Sequence, residues 1–157
     1  MIIDDKIMNY VLYKMRTVQE VRQKCNRLKL EEGYINDAID YLIEAGYLND
    51  DNYAKKYVEN VMRLKNSSRN EIKIDLLRKG VDEDIIDKYA YTEQTLEFEE
   101  ESCNVLALKK YRIVPDILKV KKFLLSKGYS YEAVSKAIDN LQSLEDNWYR
   151  NYDRRSM

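Results

Sequence analysis

One pattern occurs three times along this chain, and it leaves few folds open. Thr17-Val18-Gln19-Glu20 and Ser68-Arg69-Asn70-Glu71 stand 51 residues apart. Each reads as a capping box, in which the hydroxyl accepts from the N3 amide and the glutamate reaches back to the cap amide. The same offset pairs Val21 with Ile72, Cys25 with Leu76, Arg27 with Arg78, Leu30 with Val81 and Ile35 with Ile86. A further step of 48 residues pairs Ser68 with Asp116, Ile72 with Val120, Leu76 with Leu124, Lys79-Gly80 with Lys127-Gly128, and Ile86 with Val134. Units of this length are too small to bury a core alone and lean on their neighbours.

The pattern predicts an all-α fold of three tandem three-helix repeats forming an elongated, curved molecule with nine or so helices. Repeat 1 is expected over 1–48, repeat 2 over 49–91 and repeat 3 over 92–144. A C-terminal tail without a clear period is expected over 145–157, with the last helix running through Leu141. Repeat 1 carries Lys29 where the others carry Gly80 and Gly128, and its Gly33 comes four residues late. Its turn is therefore expected to be built differently.

The junction of repeats 1 and 2 is the stretch Glu44 to Ala54. Gly46 suits the left-handed position just past a helix end, where a Cβ would clash. Tyr47 is expected to pack back on Leu42 as a C-terminal staple. Asn49 can cap the next helix, with Asp50 and Asp51 in its first turn. Leu48 and Tyr53 have the spacing of an N-terminal staple. Along that helix Tyr53, Ala54, Tyr57, Val58, Val61 and Met62 form a broad apolar stripe, which places both tyrosines in the core.

Composition supports the helical reading and excludes several functions. There are 4 glycines and 1 proline in 157 residues, too few turn formers for an all-β protein. There is no histidine, which removes the commonest general base and metal ligand. A glycine-rich phosphate loop and a nucleophile motif are also missing, so no enzymatic activity, catalytic residue, cofactor or metal is expected. Cys25 and Cys103 form no CxxC pair, and Cys25 sits in a column that is leucine elsewhere, so it reads as a core hydrophobe. Acidic pairs such as Asp50-Asp51 and Glu99-Glu100 read as caps or helix surface. No long apolar run or signal-peptide core is present, and a cytoplasmic protein is the natural expectation.

Four short segments resemble one family. Gly46-Tyr47-Leu48-Asn49-Asp50-Asp51-Asn52-Tyr53-Ala54 is similar to the "GYLDD-x-RFA" corner of RecX regulatory proteins. Lys79-Gly80-Val81 resembles their "KGI" turn, Lys109-Lys110-Tyr111 their "KKY", and Lys127-Gly128-Tyr129-Ser130-Tyr131 their "RGFSYD" segment. Asn52 stands at the arginine position of the corner, and Ser67 where a glycine usually precedes the cap. The resemblance spans about residues 7–141. It implies three tandem three-helix repeats and a non-enzymatic protein. It further implies binding to the RecA recombinase filament, inhibition of its ATP hydrolysis and strand exchange, and so modulation of recombination and DNA repair.

Partner contacts are sought in local charge, since 27 basic and 28 acidic residues leave a net charge of −1. Residues 63–79 hold six basic side chains against two acidic ones, and residues 109–127 seven against one. The candidate contacts are Arg63, Lys65, Arg69, Lys73, Lys109, Lys110, Arg112, Lys119, Lys121 and Lys122. They suit acidic groups of a protein filament or the DNA phosphate backbone within it. Tyr149 and Tyr152, beside Arg150, Arg154 and Arg155, are a candidate aromatic–basic contact. A monomer is expected. Two other readings remain open: a helical-repeat protein that binds DNA without RecA, and an adaptor for another protein.

Overall fold

The computed structural model describes residues 1–156, with side chains to 154. The side chain of Arg155, one of the tail's basic residues, lies outside the described part. Nine helices and no strand occur among the described residues. They are α1 Asp5–Tyr13, α2 Val18–Arg27, α3 Glu32–Glu44, α4 Asp50–Leu64, α5 Arg69–Arg78, α6 Glu83–Ala90, α7 Glu93–Ile113, α8 Ile117–Ser126 and α9 Tyr131–Ser156.

The caps set these boundaries. The Glu20 amide donates to Thr17 Oγ1 (3.1 Å) and the Thr17 amide to Glu20 Oε1 (3.1 Å), which completes the box before α2. The Glu71 amide donates to Ser68 Oγ (3.1 Å) before α5, and the Lys119 amide to Asp116 Oδ1 (3.2 Å) before α8. Thr92 caps α7 by a box with Thr95. Each cap satisfies an amide that the first helical turn leaves unpaired.

The second helix of each repeat ends in the same turn. After α5, the Gly80 amide donates to Leu77 O (3.0 Å) and the Val81 amide to Leu76 O (3.1 Å), with Gly80 at φ +84°. After α8, Gly128 at φ +89° makes the matching pair, to Leu125 O (3.0 Å) and, from Tyr129, to Leu124 O (3.4 Å). This is the Schellman arrangement. The turn after α2 was expected to differ, yet it has the same bonds. Lys29 sits at φ +59° and donates to Asn26 O (3.0 Å), while Leu30 donates to Cys25 O (3.2 Å).

Two further expectations are corrected. At the corner after α3, Gly46 is left-handed (φ +85°) as anticipated, but Tyr47 is exposed and Leu48 is the buried residue. Both amides donate to Leu42 O, at 2.8 and 3.1 Å, and the chain direction then turns Leu48 inward. The last helix does not stop near Leu141; α9 runs to Ser156. Leu144 and Trp148 continue its apolar spacing, and no glycine or proline follows to end it.

The helices form two compact units. The first comprises residues 1–60 and 73–90. Its core joins Ile7 and Val11 of α1, Val21 and Cys25 of α2, Ile35, Ile39 and Leu42 of α3, and Leu48. The second comprises 61–72 and the chain from Tyr91. Its core joins Cys103 and Ala107 of α7, Val120 and Leu124 of α8, and Tyr129, Val134, Ala137 and Leu141. Within it α7 and α9 run parallel: Lys136 pairs with Glu100 and Asn140 with Asn104, each 36 residues apart. In that register the last turns of α9, from Tyr149, extend beyond the end of α7.

The repeat columns are the core. Val21, Ile72 and Val120 are buried, as are Cys25, Leu76 and Leu124, and Ile35, Ile86 and Val134. Burial pushes the Cys25 thiol up from its ordinary value. It pushes Cys103, beside Glu99, to about 12. Both cysteines are thus packing residues without an accessible thiolate.

Candidate partner-binding surface

The site is built on the second unit, where a buried carboxylate fixes the helices. Glu99 of α7 is 2% exposed. It accepts from the Arg69 amide (3.1 Å) and Arg69 Nε (3.0 Å), and Ser130 Oγ donates to it (3.4 Å). One side chain therefore caps the N-terminus of α5, pairs its first residue and anchors the start of α9. The Arg69 guanidinium also lies 5.4 Å from the Tyr91 ring. Ser68 Oγ donates to Lys127 O (2.8 Å), tying the same N-terminus to the end of α8.

This frame holds α8 and the end of α7 with their basic side chains outward. In α8, Val120 and Leu124 face the core. At about 3.6 residues per turn, Lys122 falls opposite that stripe, with Lys119 and Lys121 on either flank. All three are exposed. Lys109 and Arg112, at the end of α7, are exposed as well. Lys110 is half-buried, its ammonium 4.9 Å from the Phe123 ring, and Lys127 approaches the same ring at 5.7 Å. Phe123 thus draws the two helix ends into one positive surface.

Among the described residues, none of Lys109, Lys110, Arg112, Lys119, Lys121 and Lys122 is in an ion pair. The other candidates differ. Arg69 is committed to Glu99. Lys73 bonds Glu83 (2.7 Å) and Asp87 (3.3 Å), and these partners raise its pKa. Arg63 and Lys65 are exposed at the end of α4, on a shallow recess with Leu64, Phe98 and Val105. The ten sequence candidates are thus not one patch: six cluster at α7 and α8, two serve internal pairs, and two lie at the end of α4.

Glu99 had been read as helix surface and is instead the buried anchor of the unit. The signal was its position: Thr95, Glu99, Ser102 and Cys103 repeat at helical spacing on a single buried stripe of α7. The sequence places Asp50 as an acidic residue in the first turn of its own helix, behind the Asn49 cap. Asp50 Oδ1 accepts from the Val18 amide (3.0 Å), so it caps α2. Burial raises its pKa, the Val18 amide opposes this, and Asp82 and Glu20 add to the rise. Tyr53 and Tyr57 are half-buried, with rings stacked at 6.3 Å, rather than core. Trp148, Tyr149 and Tyr152 are exposed on α9, with Trp148 stacked on Tyr152 at 5.4 Å.

A family model described as "RecX, second three-helix domain" matches residues 49–89. The chain is 37% identical over 139 residues to the regulatory protein RecX of Clostridium perfringens strain SM101, covering 83% of this chain and 64% of that protein. It therefore spans somewhat less than two thirds of that relative's length. It is 31% identical over 144 residues to the regulatory protein RecX of Finegoldia magna, covering 87% of this chain and 70% of the relative. Among solved structures, the crystal structure of RecX from Lactobacillus salivarius superposes with a TM-score of 0.78 at 33% identity, covering 88% of this chain and 93% of that one. A second structure, of a regulatory protein RecX, gives a TM-score of 0.79 at 26% identity, covering 85% and 70%.

Proposed function

The chain belongs to the RecX family, and from that premise we propose that it is a regulatory protein acting on the RecA recombinase filament. It binds the filament, lowers ATP hydrolysis and strand exchange, and so modulates recombination and DNA repair. It does this by binding, without chemistry of its own. The three repeats, 1–48, 49–91 and 92–144, act as its structural units.

The observation that carries this reading is the unpaired positive surface on α7 and α8. Six cations in no ion pair, on helices anchored through Glu99 and Ser68, are suited to an acidic or phosphate-bearing surface. Lys119, Lys121, Lys122, Lys109 and Arg112 contact acidic groups of the filament, with the DNA phosphate backbone in reach of the same side chains. Among the described residues no helix is long and apolar enough to cross a membrane.

The test is the DNA-dependent ATPase of RecA from the same source. Substoichiometric protein lowers the rate, and an unchanged rate at equimolar protein refutes the proposal. Reversing Lys119, Lys121 and Lys122 to glutamate weakens inhibition with helicity unchanged. Inhibition that survives the reversal removes this surface from the contact.

A further inference from the structure

The first unit carries a different kind of site. Between the end of α1 and the outer side of α4 lies a concavity of about 300 Å³ lined by Lys14, Met15, Tyr53, Lys56, Tyr57 and Asn60. Tyr53 and Tyr57 are one helical turn apart, with ring planes 15° from parallel and centroids 6.3 Å apart. Tyr57 donates its hydroxyl to Asp75 (2.9 Å), which fixes that ring and engages the nearby carboxylate. Lys14 and Lys56 are exposed and are in no ion pair among the described residues. Met15 is 41% exposed and adds a soft thioether wall.

A stacked aromatic pair that served only the core would not line a wet recess rimmed by unpaired ammonium groups. The chemistry asks for an occupant that is planar and aromatic in its middle and anionic at its ends. At about 300 Å³ the recess is at the lower end of small-ligand sites. A helix of about 10 Å diameter does not fit it, whereas one or two flat rings do. Stacking platforms flanked by lysines are the general means of holding unpaired bases and their phosphates.

We propose that this groove binds a single-stranded nucleic acid, with bases packed against Tyr53 and Tyr57 and the flanking phosphates on Lys14 and Lys56. The proposal rests on side chains of the first unit alone and stands whether or not the recombinase reading does.

The experiment is fluorescence anisotropy of the full chain with a labelled thymidine strand of about 16 nucleotides, a length typical of one such site, at low salt. A strand of equal length lacking bases, a free thymidine nucleotide and a polyglutamate peptide serve as comparisons. The thymidine strand is expected to bind at least about tenfold tighter than the abasic strand. The Lys14→Glu, Lys56→Glu double variant is expected to lose about tenfold and to flatten the salt dependence by about 0.7 per lysine. Tyr53→Leu keeps an apolar side chain but removes one π-face and should weaken the preference for bases; should it not fold, the abasic comparison and the lysine variant still decide. Equal affinity for the two strands overturns the proposal. So does an unaffected lysine variant, displacement of the strand by polyglutamate at equal charge, or by the free nucleotide at equal concentration. The Lys119, Lys121 and Lys122 reversal should leave the preference for bases intact, so this result separates from the ATPase result.

Discussion

Where α2 meets α4 and α5, Thr17 Oγ1 donates to Lys79 O (2.6 Å), the Val18 amide donates to Asp50 (3.0 Å), and Gln19 packs on Gly80. Where the start of α5 meets α7 and α8, Ser68 donates to Lys127 O (2.8 Å), the Arg69 amide donates to Glu99 (3.1 Å), and Asn70 packs on Gly128. The two joints share a plan: the cap of one repeat bonds the closing turn of the next, and a carboxylate from the next repeat's first helix caps the helix in return. Their electrostatics differ. Glu99 meets the guanidinium of Arg69; Asp50 meets only an amide from Val18 and is crowded by Asp82 and Glu20. A shared backbone geometry does not imply a shared source of stability.

The largest expected effect lies in the second joint. Glu99→Ala leaves a largely buried guanidinium and an amide without their acceptor, which costs about 3 kcal/mol. Asp50→Ala removes one amide acceptor at a site water can reach and also removes an unfavourable charge, so its cost is about 1 kcal/mol or less. Urea unfolding of both variants measures the difference. Equal losses would mean that the ion pair adds nothing to the shared plan.

The glycines rank the joints in the opposite order. A Cβ at Gly80 would lie 2.4 Å from Gln19 Cβ, whereas one at Gly128 would lie 3.0 Å from Ser68 Oγ. At Gly46 nothing lies within 4 Å, so only the left-handed backbone opposes a side chain there. Gly80→Ala should therefore destabilise by about 2 kcal/mol or more, Gly128→Ala by somewhat less, and Gly46→Ala by about 1 kcal/mol. Adding Gln19→Gly should restore part of the Gly80→Ala loss and none of the Gly46→Ala loss. Equal melting temperatures for the three alanine variants would show that close approach plays no part.

Lys29 shows that a residue with a side chain can close the same turn. It is exposed and adopts the left-handed conformation at a strain cost of about 1 kcal/mol. Lys29→Gly relieves that strain but loosens the unfolded chain, so a net gain of about 0.5 kcal/mol is expected.

These contrasts show which features were legible in the sequence. Caps, columns and turn glycines are local, and Thr17, Ser68, Leu76 and Gly80 declared them directly. Lys29 was misread because its side chain disguises a backbone that obeys the repeat. Glu99 and Asp50 were misread because their partners lie about thirty residues back, and a carboxylate within an acidic run carries no mark of where it points. The exposed cations of α8 were legible as charge. That Arg69 and Lys73 are internally paired required the packed structure.

The smallest effect is also the most specific to the first joint. The Asp50 carboxyl has a raised pKa in the folded chain, so the native state holds that proton more tightly than the unfolded one. Its ionisation therefore works against folding once the pH is above the raised value. The penalty fades as pH falls through the window down to the ordinary 3.8. Asp50→Asn keeps an oxygen to accept the Val18 amide and carries no charge. Measured against the parent chain, it should gain stability at pH 7, and the gain should shrink as pH drops through that window. A gain that stays constant with pH would show that Asp50 is not desolvated, and the two joints would then differ only in their ion pair.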